Sequence, residues 1–209
     1  MSPDNPAWYV LIALVTSFVA TLPFGPINLT VIKTTVDHSK AAAMKVSLAA
    51  AAVETGQAFL AIWFGVVISR FIQNHASINL LVALIFIGLA VYVYVHDSHP
   101  SLSSSENGDP SFIRRGLFIA LINPQAIPFW IFAVTATSSY LGFEYSGGLL
   151  FAYLLGVYLG KVLALYGFVI GSNYLRTHLD ESSRWVNRLL AIVLMLIGLS
   201  QIWRAASNW

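Results

Sequence analysis

Long apolar segments separated by short polar ones run along the whole chain. Six of these segments come close to or exceed the ~20 residues that a helix needs to cross a bilayer. They cover residues 7–33, 41–69, 77–95, 115–139, 146–171 and 186–204. Because a helix satisfies its backbone hydrogen bonds internally, it is the structure that such segments adopt in lipid. The pattern therefore predicts six transmembrane helices.

One polar stretch is much longer than the others and divides the chain in two. It reads "HDSHPSLSSSENGDPSFIRR", and its Ser, Pro, Gly and Asn content is typical of a linker that packs no core. We place a cytoplasmic linker at 96–114, between three-span halves at 7–95 and 115–204. Two halves with an odd number of spans insert upside down relative to each other, as in many secondary transporters. We predict one all-α membrane domain, residues 1–209, built as two inverted three-helix repeats.

The first span of each half contains helix-breaking residues near its middle. The breaks read "LPFGPINLT" and "NPQAIP", and they contain Pro23, Gly25, Pro26 and Asn28 in the first half and Asn123, Pro124 and Pro128 in the second. Backbone groups that such breaks free must be buried in protein or line a wet cavity. A helix that restarts there presents free N–H groups and a positive dipole end, which suit a carboxylate. The alternative is an ordinary proline kink.

Two charged residues, Glu54 and Lys161, lie well inside predicted spans, away from the span ends. Glu54 lies on a helix face of small residues, with Gln57 at its edge, so we expect it to face the bundle interior. Lys161 lies beside a glycine stripe that serves either internal packing or a homodimer and contains Gly156, Gly160, Gly167 and Gly171. Charges at this depth are costly and usually functional. We expect Glu54 and Gln57 to act in proton coupling, and Lys161 to bind substrate or to pair with Glu54 when no substrate is bound. The alternatives are a permanent structural salt bridge between Glu54 and Lys161, or a Lys161 side chain that extends to the membrane interface.

Composition and charge narrow the class of protein. Hydrophobic residues make up 57% of the chain and charged ones only 10%, against about 25% charged in soluble domains. A net charge of +2 is too small to indicate a nucleic-acid partner, and the lack of cysteine excludes disulfides and thiolate metal sites.

The distribution of Lys and Arg predicts the orientation. With both termini outside, the cytoplasmic ends of the spans hold Lys33, Lys40, Lys45, Arg114, Arg115, Arg176, Arg184 and Arg188, and the outer ends hold only Arg70 and Arg204. Positive residues concentrate on the cytoplasmic side of membrane proteins. The N-terminus lacks the basic region of a cleavable leader, so we expect the first span to be retained.

The motifs resemble those of the LysE-type amino-acid exporters over nearly the whole chain. "LPFGPINLT" is similar to the family's first-span PGP motif, and "LINPQAIPFWIF" to its fourth-span NP(K/Q) motif. The resemblance implies export of amino acids or similar small metabolites from the cytoplasm, coupled to protons. We therefore expect a protein of the bacterial cytoplasmic membrane, and we expect no cofactor. The matching positions are Gly25, Pro26, Asn123 and Pro124. The chain departs from the pattern in reading PFGP, in alanines where glycines are usual, and in Lys161.

Three other functions stay open at this point. Distant relatives of these exporters imply a divalent metal-cation exporter, against which the single acidic residue inside the spans argues. An intramembrane enzyme would need a nucleophile or metal ligands at depth, and the spans contain no histidine. A scaffold that transports nothing would leave both broken helices without a purpose. We therefore predict a transporter whose site includes Asn28 and Asn123 as hydrogen-bonding groups.

Overall fold

The computed structural model describes residues 5–22, 25–72, 111–123 and 126–177, together with 80, 84, 87, 88, 91, 192, 195, 198, 199, 202, 203 and 206. Every regular element with bounds in this part of the chain is a helix. The helices are α1 (Pro6–Thr21), α2 (Pro26–Asp37), α3 (Lys40–Ile72), α4 (Phe112–Leu121), α5 (Ala126–Leu141) and α6 (Gly147–Thr177). The predicted all-α class agrees with these helices.

The first predicted break separates α1 from α2. Pro26 is the first residue of α2, where its missing N–H costs nothing, and Gly25 before it has an extended backbone. The two helices are bent by 77° relative to each other. Pro23 lies outside the described residues. The proline-rich stretch therefore accompanies a change of direction.

The second predicted break separates α4 from α5. Helix α4 ends at Leu121, and α5 begins at Ala126. Pro124 lies outside the described residues, and nothing is described of the side chain of Pro128. Each half of the chain thus contains two shorter helices where the hydropathy pattern predicts one span.

In the part of the chain that the structure describes, two helices are long and apolar enough to cross a membrane alone, within Lys40–Phe64 and Gly147–Leu175. The bent pair α1 and α2 makes a third span if it is counted as one. The predicted third and sixth spans, 77–95 and 186–204, lie mostly outside the described residues, as does the linker.

Glycines allow two close helix pairs. A Cβ on Gly156 or Gly160 of α6 would collide with the carbonyl oxygen of Val10 or Leu14 in α1. Gly116 of α4 is equally close to the backbone of α3 at Val46. Two of the four glycines in the predicted stripe, Gly156 and Gly160, therefore pack against another helix of the same chain.

Among the described residues, most of the buried apolar side chains form two clusters. The first contains Tyr9, Ala13, Ala58, Ala61, Ile62, Trp130, Ala133, Val134, Phe143, Tyr153 and Val157. The second contains Ile27, Val31, Ile32, Ala43, Val46, Ala50, Ala120, Leu165, Phe168 and Val169. Helices α3 and α6 contribute to both clusters and run from one to the other.

Aromatic contacts close the end of the bundle at the first cluster, which we call the aromatic end. Phe143, in the 142–146 connection between α5 and α6, stacks on Tyr9 with ring centroids 3.9 Å apart. The Tyr9 hydroxyl accepts a hydrogen bond from the backbone N–H of Glu144 at 2.7 Å. Burial raises the pKa of Tyr145 in the same connection, so its hydroxyl stays protonated.

The opposite end carries the positive charge, and we call it the basic end. The His38 ring, in the connection between α2 and α3, packs edge-on against Phe112 at the start of α4, with centroids 5.2 Å apart. This contact brings together the segments that contain Lys33, Lys40, Lys45, Arg114 and Arg115.

Candidate functional site

An ion pair joins the two long helices. The Lys161 Nζ of α6 lies 2.5 Å from the Glu54 Oε2 of α3, and the two side chains are 6% and 7% exposed. Among the described residues, these are the charged side chains that the fold buries. A buried charge is costly unless it is paired, so each of the two stabilises the other in place.

The sequence brings this pair together through matching helix faces. Residues four apart lie on one side of a helix. The buried series on α3 contains Val46, Ala50, Glu54, Ala58 and Ile62, and the one on α6 contains Tyr153, Val157, Lys161, Leu165 and Val169. Glu54 and Lys161 are the middle residues of their series, so the pair lies midway between the two apolar clusters.

Buried polar side chains surround the level of the ion pair. We call them, together with the pair, the polar layer; it contains Ser17, Thr21, Asn28, Glu54, Gln57 and Lys161. Along α3 and α6 these residues fall between members of the two clusters. The layer also includes residues from both sides of the first break. It is therefore a polar level inside an otherwise apolar bundle.

Two members of the layer hydrogen-bond to helix ends at the breaks. The Asn28 Nδ2 donates to the Thr21 carbonyl at 2.7 Å, which links the start of α2 to the end of α1. The Gln57 Nε2 donates to the Ala120 carbonyl at 3.2 Å, near the end of α4. Carbonyls at helix ends have no partner within the helix. Both side chains therefore stabilise a break.

The other predicted site residues lie at the breaks themselves. Gly25 is half-buried and precedes α2 as its N-cap, with no side-chain hydrogen bond capping that end. Pro26 is exposed, and Asn123, after α4, is half-buried. Pro124 lies outside the described residues. The structure thus joins Glu54 to Lys161 directly, and places Asn28 and Gln57 in the same polar layer.

Two polar residues of α1 belong to the layer but are missing from the predicted site. The Ser17 hydroxyl donates to the Val157 carbonyl of α6 at 2.8 Å, and the Thr21 hydroxyl donates to the Ser17 carbonyl at 2.7 Å. With Tyr9 and Ala13 they form a buried series spaced by four. That spacing in the sequence indicates a buried helix face that includes Ser17 and Thr21. The indication is weak, because Ser and Thr are common in membrane helices.

The chemistry available to the layer is recognition of charge. A carboxylate accepts hydrogen bonds and an ammonium group donates them, so the pair offers a partner to either end of a dipolar ligand. No group of three or more His, Asp or Glu side chains that could hold a metal ion occurs among the residues that the structure describes. The layer, between two broken helices, is the candidate site.

Comparison with protein-family models gives a match over most of the chain. A family model described as LysE type translocator matches residues 18–203. The match includes both breaks, Glu54 and Lys161. No curated protein and no solved structure matches the chain.

Proposed function

Because the chain belongs to the LysE type translocator family, we propose that it exports amino acids or related small metabolites across the bacterial cytoplasmic membrane, coupled to protons. Its family and its apolar helices make it a multi-pass membrane transporter. The class of substrate, the coupling of export to protons and the roles of individual residues are parts of our proposal.

The observation that carries the proposal is the Glu54–Lys161 pair, with its atoms 2.5 Å apart in the polar layer. Ionisable residues at membrane depth usually mark substrate or proton pathways. Replacing such a pair by apolar residues is often neutral or stabilising, so packing alone gives little reason to keep it.

Each residue of the candidate site has a role in binding the substrate or the driving proton. The helix ends after Pro26 and Pro124 take the substrate carboxylate, because free N–H groups and the helix dipole favour an anion there. Glu54 takes the amino group or the driving proton, and Lys161 neutralises Glu54 when no substrate is bound. Asn28 and Asn123 supply side-chain hydrogen bonds.

Gln57 takes part in proton coupling through its neighbours on α3. It lies nearly one turn from Glu54 on the same helix, and its amide already contacts the end of α4. A change in the charge of Glu54 therefore acts close to a hydrogen bond at the second break. Proton uptake at Glu54 would loosen the ion pair and this helix end together.

Helix packing supports the inverted-repeat architecture. The first helix of one half packs on the long helix of the other in both cases, because α1 contacts α6 and α4 contacts α3. The second helices follow this exchange in part, since α5 contacts α3 of the other half, whereas α2 contacts both α6 of the other half and α3 of its own. Transport would then proceed as the halves rock around the polar layer.

The charge distribution supports an orientation with the basic end in the cytoplasm. This places the connection 142–146 outside and, if six spans are present, both termini outside as well. A homodimer would have to use surfaces other than Gly156 and Gly160, since α1 covers these.

Efflux from preloaded cells tests the proposal. Cells that express the wild-type chain, Glu54→Gln or Glu144→Gln are loaded with labelled amino acids or divalent metal ions, and the loss of label is followed. Glu144 is an exposed carboxylate in the 142–146 connection, so its substitution is the matched control. We expect cells with the wild-type chain or Glu144→Gln to lose at least one amino acid faster than cells that do not express the chain. Cells with Glu54→Gln should not show this increase. Efflux of metal alone would support the metal-exporter alternative, and no efflux of any compound would contradict the proposal.

A further inference from the structure

We infer that the transported substrate is a zwitterion of zero net charge, which replaces the Glu54–Lys161 pair by binding one end to each residue. The inference rests on the proposed function and specifies its substrate class. In the empty protein the carboxylate and the ammonium group neutralise each other. In the loaded protein the substrate ammonium group binds Glu54, and the substrate carboxylate binds Lys161 in addition to the helix ends that we propose for it above.

The first argument is the charge balance of the layer. Glu54 and Lys161 are the buried charged side chains among the described residues, and together they carry no net charge. A neutral zwitterion inserted between them keeps the sum at zero and gives every charge a partner. A substrate with one more charge leaves that charge buried without a partner, which is strongly unfavourable in a medium of low dielectric constant.

The second argument is that the other polar side chains of the layer already donate to backbone carbonyls. Ser17 donates to Val157, Thr21 to Ser17, Asn28 to Thr21 and Gln57 to Ala120. A ligand that took over these N–H and O–H groups would leave helix-end or backbone carbonyls without them, so these side chains, Asn28 included, can add to substrate binding but do not anchor it. The ion pair differs, because the ligand itself supplies a replacement partner for each member.

The third argument concerns the residues that flank each member of the pair on the buried face of its own helix. The residues one turn before and after Glu54 on its buried face are Ala50 and Ala58, and those around Lys161 are Val157 and Leu165. None of these side chains can pair with a further charge or hydrogen-bond a polar group. The part of the substrate beyond its ammonium and carboxylate groups is therefore best uncharged.

The test is counterflow in proteoliposomes that contain the full-length chain. Vesicles loaded with a neutral amino acid are given labelled neutral, cationic or anionic amino acids, or analogues that lack either the amino or the carboxylate group. We expect neutral amino acids to exchange at least about tenfold faster than all the others. The wild-type protein alone provides this comparison, so it does not depend on whether a variant folds.

Two variants test which residue binds which end. Lys161→Gln removes the partner of the substrate carboxylate, so the rate for amines without a carboxylate should rise relative to the rate for neutral amino acids. Glu54→Gln should raise the relative rate for carboxylates without an amine. Lys45→Gln, an exposed residue of α3, is the control and should leave the ratios unchanged.

The outcomes separate the two proposals. Exchange of a cationic or anionic amino acid as fast as a neutral one would overturn the zwitterion inference and leave amino-acid export in place. Variants that fold and exchange with unchanged ratios would also overturn it. No exchange of any amino acid would contradict the proposed function, and the inference with it.

Discussion

Glu54 and Lys161 occupy the same place in two long helices and bind each other there. Each is the fifteenth residue of its helix, in α3 and α6 respectively, and their charged atoms lie 2.5 Å apart. If the two halves are inverted repeats, these positions are equivalent, and the pair lies at the axis that relates them. A carboxylate in one half and an ammonium group in the other then give the centre of the bundle no net charge.

Removing one member of this pair should destabilise the protein more than removing both. Glu54→Gln or Lys161→Met leaves a buried charge without its partner, at a cost of about 3–5 kcal/mol. The double variant leaves none, so it should regain most of the stability. Thermal unfolding of the purified variants in detergent measures the difference. If the stability losses of the two single variants simply add in the double variant, the two residues are not coupled and do not form an ion pair.

The close approach of α1 and α6 predicts unequal effects of alanine at different glycines of α6. Gly156→Ala places a Cβ against the carbonyl oxygen of Val10, and such overpacking costs about 1–3 kcal/mol. Gly167→Ala meets nothing within 4 Å and should be neutral or slightly stabilising, because alanine favours helix. Thermal unfolding of the two purified variants in detergent compares their stabilities. Equal effects of the two substitutions would contradict the packing.

Asn28 should matter for stability because it links the two helices of the first break. Asn28→Ala leaves the Thr21 carbonyl without the donor that reaches it at 2.7 Å, at a cost of about 1–3 kcal/mol. Asn173→Ala, at an exposed position of α6, is the control and should change stability by less than about 0.5 kcal/mol. If both variants unfold at the wild-type temperature, the hydrogen bond does not stabilise the break.

The orientation can be tested directly because the chain contains no cysteine. Single cysteines at exposed positions near each end, Ala41→Cys at the basic end and Ser146→Cys at the aromatic end, report the side of the membrane. A thiol reagent that does not cross membranes should label Ser146→Cys in intact cells and Ala41→Cys only after permeabilisation. The reverse pattern would invert the orientation, and labelling of both in intact cells would contradict the topology.

The sequence was informative where a residue is anomalous for its surroundings. Prolines in apolar segments predicted both breaks, because proline lacks the backbone N–H of a helix and its ring clashes with the preceding turn. The alanine-rich face of α3 predicted that Glu54 points inward. Pairing with Lys161 was among the predicted alternatives, and the two side chains are in contact.

The sequence was less informative where tertiary geometry decides. The bend of 77° between α1 and α2 depends on what both helices pack against, which no local pattern encodes. The contact of Asn28 with Thr21 depends on that bend. Ser17 was missed for a related reason, since its role follows from the closeness of α1 to α6 at Gly156 and Gly160.

The initial rate of export, normalised to the amount of folded protein in the membrane, tests the central claim most directly. The claim is that the Glu54–Lys161 pair lies in the transport site, and the comparison is Glu54→Gln and Lys161→Gln against Glu144→Gln and Lys45→Gln. The account predicts that both substitutions within the pair reduce export at least about tenfold, while both exposed substitutions leave it unchanged. Wild-type export rates in properly folded Glu54→Gln and Lys161→Gln would contradict it, and the pair would then be part of the scaffold alone.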